Sequence, residues 1–419
     1  MSTTGHSDVD LDRVFREENG RVVATLVRQF GDIDIAEEAA QEAFVIAIQR
    51  WPESGVPPNP GGWLTTTARN RAIDRIRRES TRDARHAQAV MITDDESPDP
   101  TSVTSVQDDR LRLIFTCCHP ALASDAQVAL TLRLLGGLTA GEIAHAFLVP
   151  EATMAKRLTR SKQKIKANRI PYRVPSDAEL PNRLRGVLGT LYLVFNEGYL
   201  SSSEETPIRV DLCAEAIRLT RILATLMPDE PEVQGLLALM LLTDARRAAR
   251  VADGMLVPLT DQDRTSWDHQ LITDGHAIVR ACLRRNRPGP YQLLAAINAV
   301  HTDATTAAET DWSQIVRLYD QLYVVTPTPV VALNRAIAVG EVEDPAAGLA
   351  IIDQLDLDGY HPYHAARADL LRRERRTTEA VEAYTRAIDL ATNPAEQAYL
   401  RSRRQGLQPC HVQYLTGLS

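Results

Sequence analysis

The chain has 419 residues, more than one hydrophobic core usually organises, so two or three domains are expected. Hydrophobic residues make up 44% and charged residues 24%, and an aromatic content of only 5% beside abundant Ala, Leu and Arg favours helices. The net charge of −8 argues against a protein coated in nucleic-acid-binding surface, although an average hides segregated patches.

Hydropathy and cysteine usage predict a cytoplasmic protein. The longest apolar stretches, such as residues 233–242, fall short of the roughly 20 residues that a bilayer crossing needs. The polar N-terminal sequence MSTTGHSDVD does not resemble a signal peptide. The five cysteines follow no regular spacing and leave one unpaired in any disulfide scheme, which suits a reducing compartment.

Charge is distributed unevenly along the chain. Residues 1–173 hold 23 Lys and Arg against 23 Asp and Glu, whereas the remainder holds 24 against 32. Within the neutral part, residues 153–173 contain eight basic residues and no acidic one, and residues 69–85 contain seven Arg against three acids. The sequence therefore carries two basic patches.

Two amphipathic helices are predicted in the first fifty residues. Apolar side chains recur there with helical spacing. The first set is Val23, Leu26, Val27 and Phe30, and the second is Ala40, Phe44, Ala47 and Trp51. Between them, GDIDIAEE supplies a glycine and acids that suit a helix N-terminus, so the second helix is expected to begin near Asp34.

A loop and a third, basic helix are predicted next. The segment PESGVPPNPGG, residues 52–62, is expected to be a loop because it contains four prolines and three glycines. The helix that follows turns Leu64, Ala68, Ile73 and Ile76 towards a core, and its basic stripe consists of Arg71, Arg75, Arg78 and Arg82. The stripe is either a DNA contact or a solvated face.

Residues 87–107 are predicted to be a flexible linker, because Asp, Ser, Thr and Pro dominate AQAVMITDDESPDPTSVTSVQ and apolar periodicity is weak. Each basic patch is therefore expected on its own small domain.

Residues 138–166 have the parts of a helix-turn-helix. Ile143, Ala144 and Phe147 face inward from the first helix, and Val149 and Pro150 end it.

The second helix of this motif has an inward stripe and a polar N-terminal face. Its stripe is Met154, Leu158 and Ile165, and its exposed residues are Thr153, Lys156, Arg157 and Arg160. A recognition helix presents such side chains to base edges in the major groove while its flanking Lys and Arg neutralise phosphates. The alternative is an ordinary helical hairpin with a basic exterior.

The remainder is predicted to be helical from about residue 184 to 405. Residues 346–355 and 379–390 resemble each other: Ala347 and Ile351 align with Ala380 and Tyr384 at a spacing of 33, close to the tetratricopeptide period of 34. Within this region NEGY, residues 196–199, is either a binding hotspot or a plain helix end.

The order of these motifs resembles the extracytoplasmic-function sigma factors of the sigma-70 family over residues 10–170. The carriers are DIDIAEEAAQEAFVIAIQRW, NPGGWLTTTARNRAIDRIRRE, the acidic linker and the helix-turn-helix. Leu148 at the turn, CCHPAL and the long helical extension are similar to a subgroup whose extension contains tetratricopeptide-like repeats. The resemblance implies an all-α protein with a region 2 domain (10–86), the linker (87–107), a region 4 helix-turn-helix domain (108–172) and a tetratricopeptide-like C-terminal domain (180–419).

The resemblance also implies roles for individual residues. Glu38, Gln41 and Glu42 would dock on the clamp helices of the polymerase β′ subunit. The −10 element, with one base flipped out of the non-template strand, would be bound by the loop 51–62 and by Thr66, Arg69, Asn70, Arg71, Arg75 and Arg78. The −35 duplex would be read by Glu151, Thr153, Lys156, Arg157, Arg160 and Lys162, and Lys164 and Lys166 would contact phosphate. Trp63 would either stack on a base or, as the favoured reading, pack in the core.

The expected function is that of an alternative sigma factor, with core RNA polymerase (its β′ and β subunits) and promoter DNA as partners. Its C-terminal domain would restrain the DNA-binding domains, stabilise the polymerase complex or bind a protein or small-molecule regulator. No catalysis, metal or cofactor is expected, since TCCHP lacks ligand spacing and HPYH, residues 361–364, is interpreted as a surface loop. The alternatives are a helical scaffold or adaptor that binds nucleic acid generally and, with little support, an enzyme in residues 180–419.

Overall fold

The computed structural model describes residues 5–82, 103–147, 149–199, 210–252 and 255–407, although some side chains near the edges of these ranges are outside the description. The described chain is α-helical apart from one antiparallel pair of two-residue strands, β1 (Val251–Ala252) and β2 (Met255–Leu256). It divides into two compact units, Met1–Val194 and Phe195–Ser419. The prediction of an all-α fold with a helical C-terminal region is confirmed.

The N-terminal unit contains seven helices among its described residues, and an eighth begins there. They are α1 (Gly5–Phe30), α2 (Ile33–Ser54), α3 (Pro60–Arg82), α4 (Val103–Cys117), α5 (Ser124–Leu130), α6 (Ala140–Ala146), α7 (Glu151–Ala167) and α8 (Leu180–Tyr199). A single π-helical turn, Thr131–Leu135, follows α5. Leu148, in the predicted turn between α6 and α7, is outside the described residues.

The helix α2 begins one residue before the predicted position because Asp32 caps it. The Asp32 carboxylate accepts hydrogen bonds from the backbone amides of Asp34 at 2.9 Å and Ile35 at 3.2 Å. Burial raises the pKa of Asp32, but these amides and the ammonium of Lys166 outweigh burial and lower it below its usual value. The cap therefore prefers the ionised carboxylate.

The predicted loop at residues 52–62 is wrong in its extent. The helix α2 continues through Pro52 to Ser54, and α3 begins at Pro60, which leaves residues 55–59 as the loop. A proline near a helix end removes one hydrogen bond without ending the helix, and a proline in the first position of a helix loses none. Asn59 caps α3, since its side-chain oxygen accepts from the amide of Gly62 at 2.9 Å.

The end of the predicted linker is also wrong, because residues 103–107 form the first turns of α4. Residues 83–102 are outside the described part of the chain, and so is the side chain of Arg82.

The two groups of helices in the N-terminal unit pack against each other across α1. Arg28 on α1 pairs with Asp109 on α4 at 2.8 Å, and the Asp109 side chain is only 1% exposed. The side-chain amide of Asn19 donates to the carbonyl oxygen of Leu134 at 3.1 Å. The predicted domains 10–86 and 108–172 therefore share one compact unit in this conformation.

The C-terminal unit is a succession of packed helices. They are α9 (Val210–Leu226), α10 (Pro231–Asp244), α11 (His269–Arg285), α12 (Pro290–Asp303), α13 (Trp312–Val325), α14 (Pro329–Val342), α15 (Pro345–Ile352), α16 (His361–Arg373), α17 (Thr377–Leu390) and α18 (Pro394–Gln405). The helix α10 is apolar on all sides and contacts α9, α11 and α12, as expected for a central helix. Tyr384 on α17 anchors a second core formed by α14 to α18.

Two further predictions concern this unit. HPYH is the first turn of α16 and not a loop, because Pro362 suits the start of a helix. The matched segments 346–355 and 379–390 both coincide with helices, α15 and α17. Among the described residues, no helix combines the length and the apolar character that a bilayer crossing needs.

Candidate nucleic-acid interface

The helix α7 has the buried and exposed faces that the sequence predicts. Met154, Leu158 and Ile165 are buried, and Ser161 is buried between them. The predicted contact residues on its N-terminal half are exposed or, for Arg157, half-buried: Glu151, Thr153, Lys156, Arg157 and Arg160. Packing of the inner stripe fixes the rotation of α7, so these side chains share one outward surface.

An open groove runs along this surface between α5 and α7. It is lined on one side by Leu122 and Ala126 and on the other by Thr153, Lys156 and Arg160. Asp125 pairs with Arg157 at 3.5 Å, but the Asp125 side chain is 74% exposed and the pair is therefore weak. The groove thus carries positive charge that is free to meet an anionic partner.

Lys162, predicted to lie on the same DNA-binding surface, points elsewhere in this conformation. Its ammonium lies 2.5 Å from the carboxylate of Asp34 and 3.0 Å from that of Glu37, both on α2, and its side chain is 16% exposed. Burial lowers the pKa of Lys162, but Asp34 and Glu37 outweigh burial and raise it above its usual value. Lys166, one turn later, pairs with Asp32 at 3.2 Å.

Glu37 is the centre of this contact and was not identified from the sequence. One oxygen accepts from Arg133 Nε at 2.6 Å, and the other pairs with Lys162. The Glu37 side chain is 12% exposed. These two cationic partners lie 96 and 125 residues away in the chain, so no local pattern could have identified them. We call Asp34, Glu37, Arg133 and Lys162 the latch cluster.

The predicted −10 residues form an exposed basic face on α3. Thr66, Arg69, Asn70, Arg71 and Arg78 are exposed, and Arg75 is half-buried. The hydroxyl of Thr66 donates to the carbonyl oxygen of Gly62 at 2.9 Å. The structure thus places these six residues on one helix, next to α2.

The predicted polymerase-binding residues of α2 are neighbours of this basic face. Glu38 forms an ion pair with Arg75, and Glu42 lies 3.9 Å from Arg71. Gln41 donates to Glu37 at 3.1 Å. Ion pairs between exposed side chains contribute about 0–1 kcal/mol each, so a partner can displace them at little cost.

Two exposed apolar residues extend the acidic face of α2. Val45 is 52% exposed and Ile48 is 58% exposed. They follow Gln41 by four and seven residues, the helical spacing that puts side chains on one face. Val45 and Ile48 were not predicted from the sequence, because only the apolar residues of the buried stripe were considered there. Their helical spacing from Gln41 is nonetheless visible in the sequence. A mixed acidic and apolar strip is typical of a protein-binding surface.

Trp63 lies beside the core and is half-buried, so the choice between core packing and stacking on a base stays a prediction. Its ring meets Trp51 edge-to-face, with centroids 5.3 Å apart, and Trp51 is 5% exposed.

Cys117 and Cys118 are core residues, and burial raises the pKa of both thiols. Within the described part of the chain, no group of three His, Cys, Asp or Glu side chains is arranged to hold a metal.

Two protein-family matches cover the helices that carry these surfaces. The family described as Sigma-70 region 2 matches residues 14–82, and the family described as Sigma-70, region 4 matches residues 112–165. A family of unknown function, DUF6596, matches residues 183–283. The first match contains α2 and α3, and the second contains α7.

Several individual proteins are similar to this chain. The chain is 43% identical over 408 residues to an uncharacterized protein of Rhizobium meliloti strain 1021, a match that covers 96% of both chains. It is 25% identical over 158 residues to the ECF RNA polymerase sigma factor SigK of Mycobacterium tuberculosis strain H37Rv, covering 37% of this chain and 82% of that protein. SigK of Mycolicibacterium vanbaalenii is 26% identical over 148 residues, 34% of this chain and 74% of that protein. No solved structure matches.

Proposed function

We propose which surfaces of this chain, an RNA polymerase sigma factor by its matches to Sigma-70 region 2 and region 4, bind polymerase and which bind the promoter. Core polymerase and promoter DNA are its partners, and it directs transcription initiation. The proposed division of labour rests on one observation above all: the N-terminal half of α7 is exposed and basic because its opposite stripe is buried.

The helix α2 is the proposed polymerase contact. Glu38, Gln41 and Glu42 supply the acidic part, and Val45 and Ile48 supply the apolar part. Burial of two exposed aliphatic side chains gives affinity, while the carboxylates orient the partner and favour a basic surface. The clamp helices of the β′ subunit are the proposed occupant, by the family resemblance.

The helix α3 and the loop before it are the proposed −10 contact. Arg69, Arg71 and Arg78 would neutralise phosphates of the opened strand, and Thr66 and Asn70 offer hydrogen bonds to a base. A flipped base that is held in a pocket makes strand opening more favourable, because the energy of unpairing is offset by the new contacts.

The helix α7 is the proposed −35 contact. Its first turns, with Glu151, Thr153 and Lys156, would meet base edges in the major groove. Arg157, Arg160 and Lys164 would bind phosphate and give binding its salt dependence. No catalytic step is proposed, because polymerase supplies the chemistry.

The described conformation is proposed to be a closed one. The two promoter elements lie about 25 base pairs apart, roughly 85 Å at about 3.4 Å per base pair. A compact unit the size of residues 1–194 has a radius of gyration of about 16 Å, so α3 and α7 cannot reach both elements while packed together. Opening of the latch cluster would free Lys162 and Lys166 for the DNA and expose Glu37 on α2.

The C-terminal unit is the proposed regulatory part. Its helices α14 to α17 pack as consecutive neighbours, in keeping with the tetratricopeptide-like repeats that the resemblance implies. We propose that it binds a regulator or stabilises the polymerase complex. Comparison of the full chain with a variant cut at residue 180 in purified transcription tests this role, and equal promoter-dependent transcription by both would contradict it.

The polymerase contact is tested by co-purification of the full chain with core polymerase. Val45→Asp and Ile48→Asp place a charge on an exposed face, so the fold should persist while binding weakens at least tenfold. Glu53→Gln, an exposed position near the end of the same helix, is the matched control and should bind as the unaltered chain does. Equal binding by all four proteins would contradict the proposed contact.

A further inference from the structure

The C-terminal unit contains a buried guanidinium without a full set of partners. Arg246, which follows α10, is 9% exposed. Its Nη2 donates to the side-chain oxygen of Asn298 at 2.6 Å. Its Nε is buried and has no hydrogen-bond partner in the part of the chain that the structure describes. A buried donor without a partner lowers stability, so its environment requires an explanation.

Two further arginines lie near Arg246: Arg264 contacts the carbonyl oxygen of His301, one turn after Asn298 on α12, and Arg250 follows Arg246 by four residues. The Arg250 guanidinium lies 4.2 Å from the ring centroid of Tyr199, and the Arg264 guanidinium lies 4.7 Å from that of Trp267. Arg264 also donates to the carbonyl oxygens of His301 and Ala304, at 2.6 Å each. These contacts hold both guanidiniums in fixed positions without neutralising them.

The electrostatic effects of these groups show that they act on one another. Burial lowers the pKa of Arg246, Tyr199 acts in the opposite direction, and Arg250 and Arg264 lower the pKa further. Burial, Arg246 and Arg264 together lower the pKa of His301 to about 3, so its imidazole is neutral at physiological pH. The cluster concentrates positive charge in one partly buried place.

No carboxylate of the described residues balances this charge at close range. Among the described residues, none of the three guanidiniums has a carboxylate oxygen within 4.0 Å. Glu309 acts on Arg264 from a longer distance, and its carboxylate is hydrogen-bonded to Thr305. The adjacent Arg247, by contrast, pairs with Asp244 at 3.1 Å. Buried charges in proteins are normally paired, so within the part of the chain that the structure describes this cluster lacks a close negative group.

We propose that Arg246, Arg250 and Arg264 form a binding site for a small oxyanion, the phosphoryl or carboxylate group of a ligand. Guanidinium groups match both anions with paired N–H donors, and sites held by aromatic stacking are already ordered. Arg250 and Arg264 are half-buried and supply the donors that a ligand can reach, the buried Arg246 adds its charge, and Tyr199, the last residue of NEGY, flanks the site. The ligand would provide the missing charge, and the site does not depend on the promoter function.

The test is isothermal titration of the full chain at constant ionic strength with three probes: pyrophosphate, malonate and chloride. Arg250→Gln removes a partly exposed guanidinium and should weaken binding at least tenfold. Arg246→Gln should do the same, and the melting temperature of each variant verifies that it is folded. Arg284→Gln is the control for charge, since this exposed residue lies 15 positions beyond His269 on α11, about 22 Å along the helix from the end near Arg264.

Each outcome of the titration either supports or overturns the proposed site. Saturable binding of pyrophosphate, lost in Arg250→Gln and kept in Arg284→Gln, supports the site and indicates a phosphoryl ligand. The same pattern with malonate supports it with a carboxylate ligand. The proposal is overturned if neither anion binds at about 10 mM, or if the Arg250→Gln and Arg284→Gln variants bind equally well. Chloride should give no saturable heat in any variant.

Discussion

The substitution Glu37→Gln should open the contact between α2 and the helix-turn-helix. Glu37 is 12% exposed and meets Arg133 at 2.6 Å and Lys162 at 3.0 Å. Removal of one partner from a buried ion pair costs about 3–5 kcal/mol. Here Lys162 keeps Asp34 and Arg133 keeps the carbonyl oxygen of Leu138, so we expect about 2 kcal/mol, or roughly a thirtyfold rise in the ratio of open to closed molecules.

Single-molecule fluorescence transfer measures this ratio directly. Dyes introduced through unnatural amino acids at Glu53 and Lys164, both exposed, report the separation of α2 from α7. Glu42→Gln is the matched control: the same change on the same helix, at a residue whose pair with Arg71 at 3.9 Å is exposed. It should shift the ratio less than about threefold.

An equal ratio of open to closed molecules in Glu37→Gln and Glu42→Gln would contradict a special role for Glu37. In that case the latch cluster would contribute no more than a surface pair. A rise in both variants would also refute it, because the effect would then follow from lost negative charge on α2 and not from the buried contact.

Three further predictions concern promoter binding, packing and acid stability. Arg160→Ala should reduce the slope of log affinity against log salt by about 1 when polymerase holding this chain binds a −35 duplex; an unchanged slope would show that Arg160 meets no phosphate. Gly235→Ala should destabilise the C-terminal unit by about 1–3 kcal/mol in denaturant unfolding, because the added Cβ would lie 2.6 Å from the backbone nitrogen of Gln292; unchanged stability would contradict this packing. The pKa of Asp32 is lowered in the folded chain, so its stabilising effect is complete above the ordinary pKa near 4 and is lost as pH falls through the lowered folded value. The difference in melting temperature between the unaltered chain and Asp32→Asn should therefore shrink between pH 6 and 3. A constant gap would exclude an ionised cap.

Local periodicity was sufficient to predict the helices that carry the candidate surfaces. The inner stripe of α7 follows from the spacing of Met154, Leu158 and Ile165, and the exposed face is then fixed by helical geometry. Proline content was a poorer guide, since Pro52 and Pro60 lie inside helices and the loop between them is shorter than predicted. A proline prevents a helix only where its missing amide or its ring meets an interior turn.

Contacts between distant segments could not be predicted from one sequence. Lys162 and Lys164 have similar neighbours in the sequence, yet Lys162 forms an ion pair with Glu37 and Lys164 is exposed. The sequence RRAAR, residues 246–250, likewise gives no sign that Arg247 pairs with a carboxylate while the Nε of Arg246 has no partner among the described residues. Which charge is neutralised depends on the fold that brings the partners together, and this is a long-range property.

Reconstituted transcription with purified core polymerase across a promoter library tests whether this chain is a promoter-specific sigma factor. We expect initiation at discrete sites that share two sequence elements, lost when Lys156 and Arg160 are both changed to Ala and preserved when the exposed Arg284 is changed to Gln. Initiation that is no different from core polymerase alone, or DNA binding that needs no polymerase and shows no sequence preference, would contradict it.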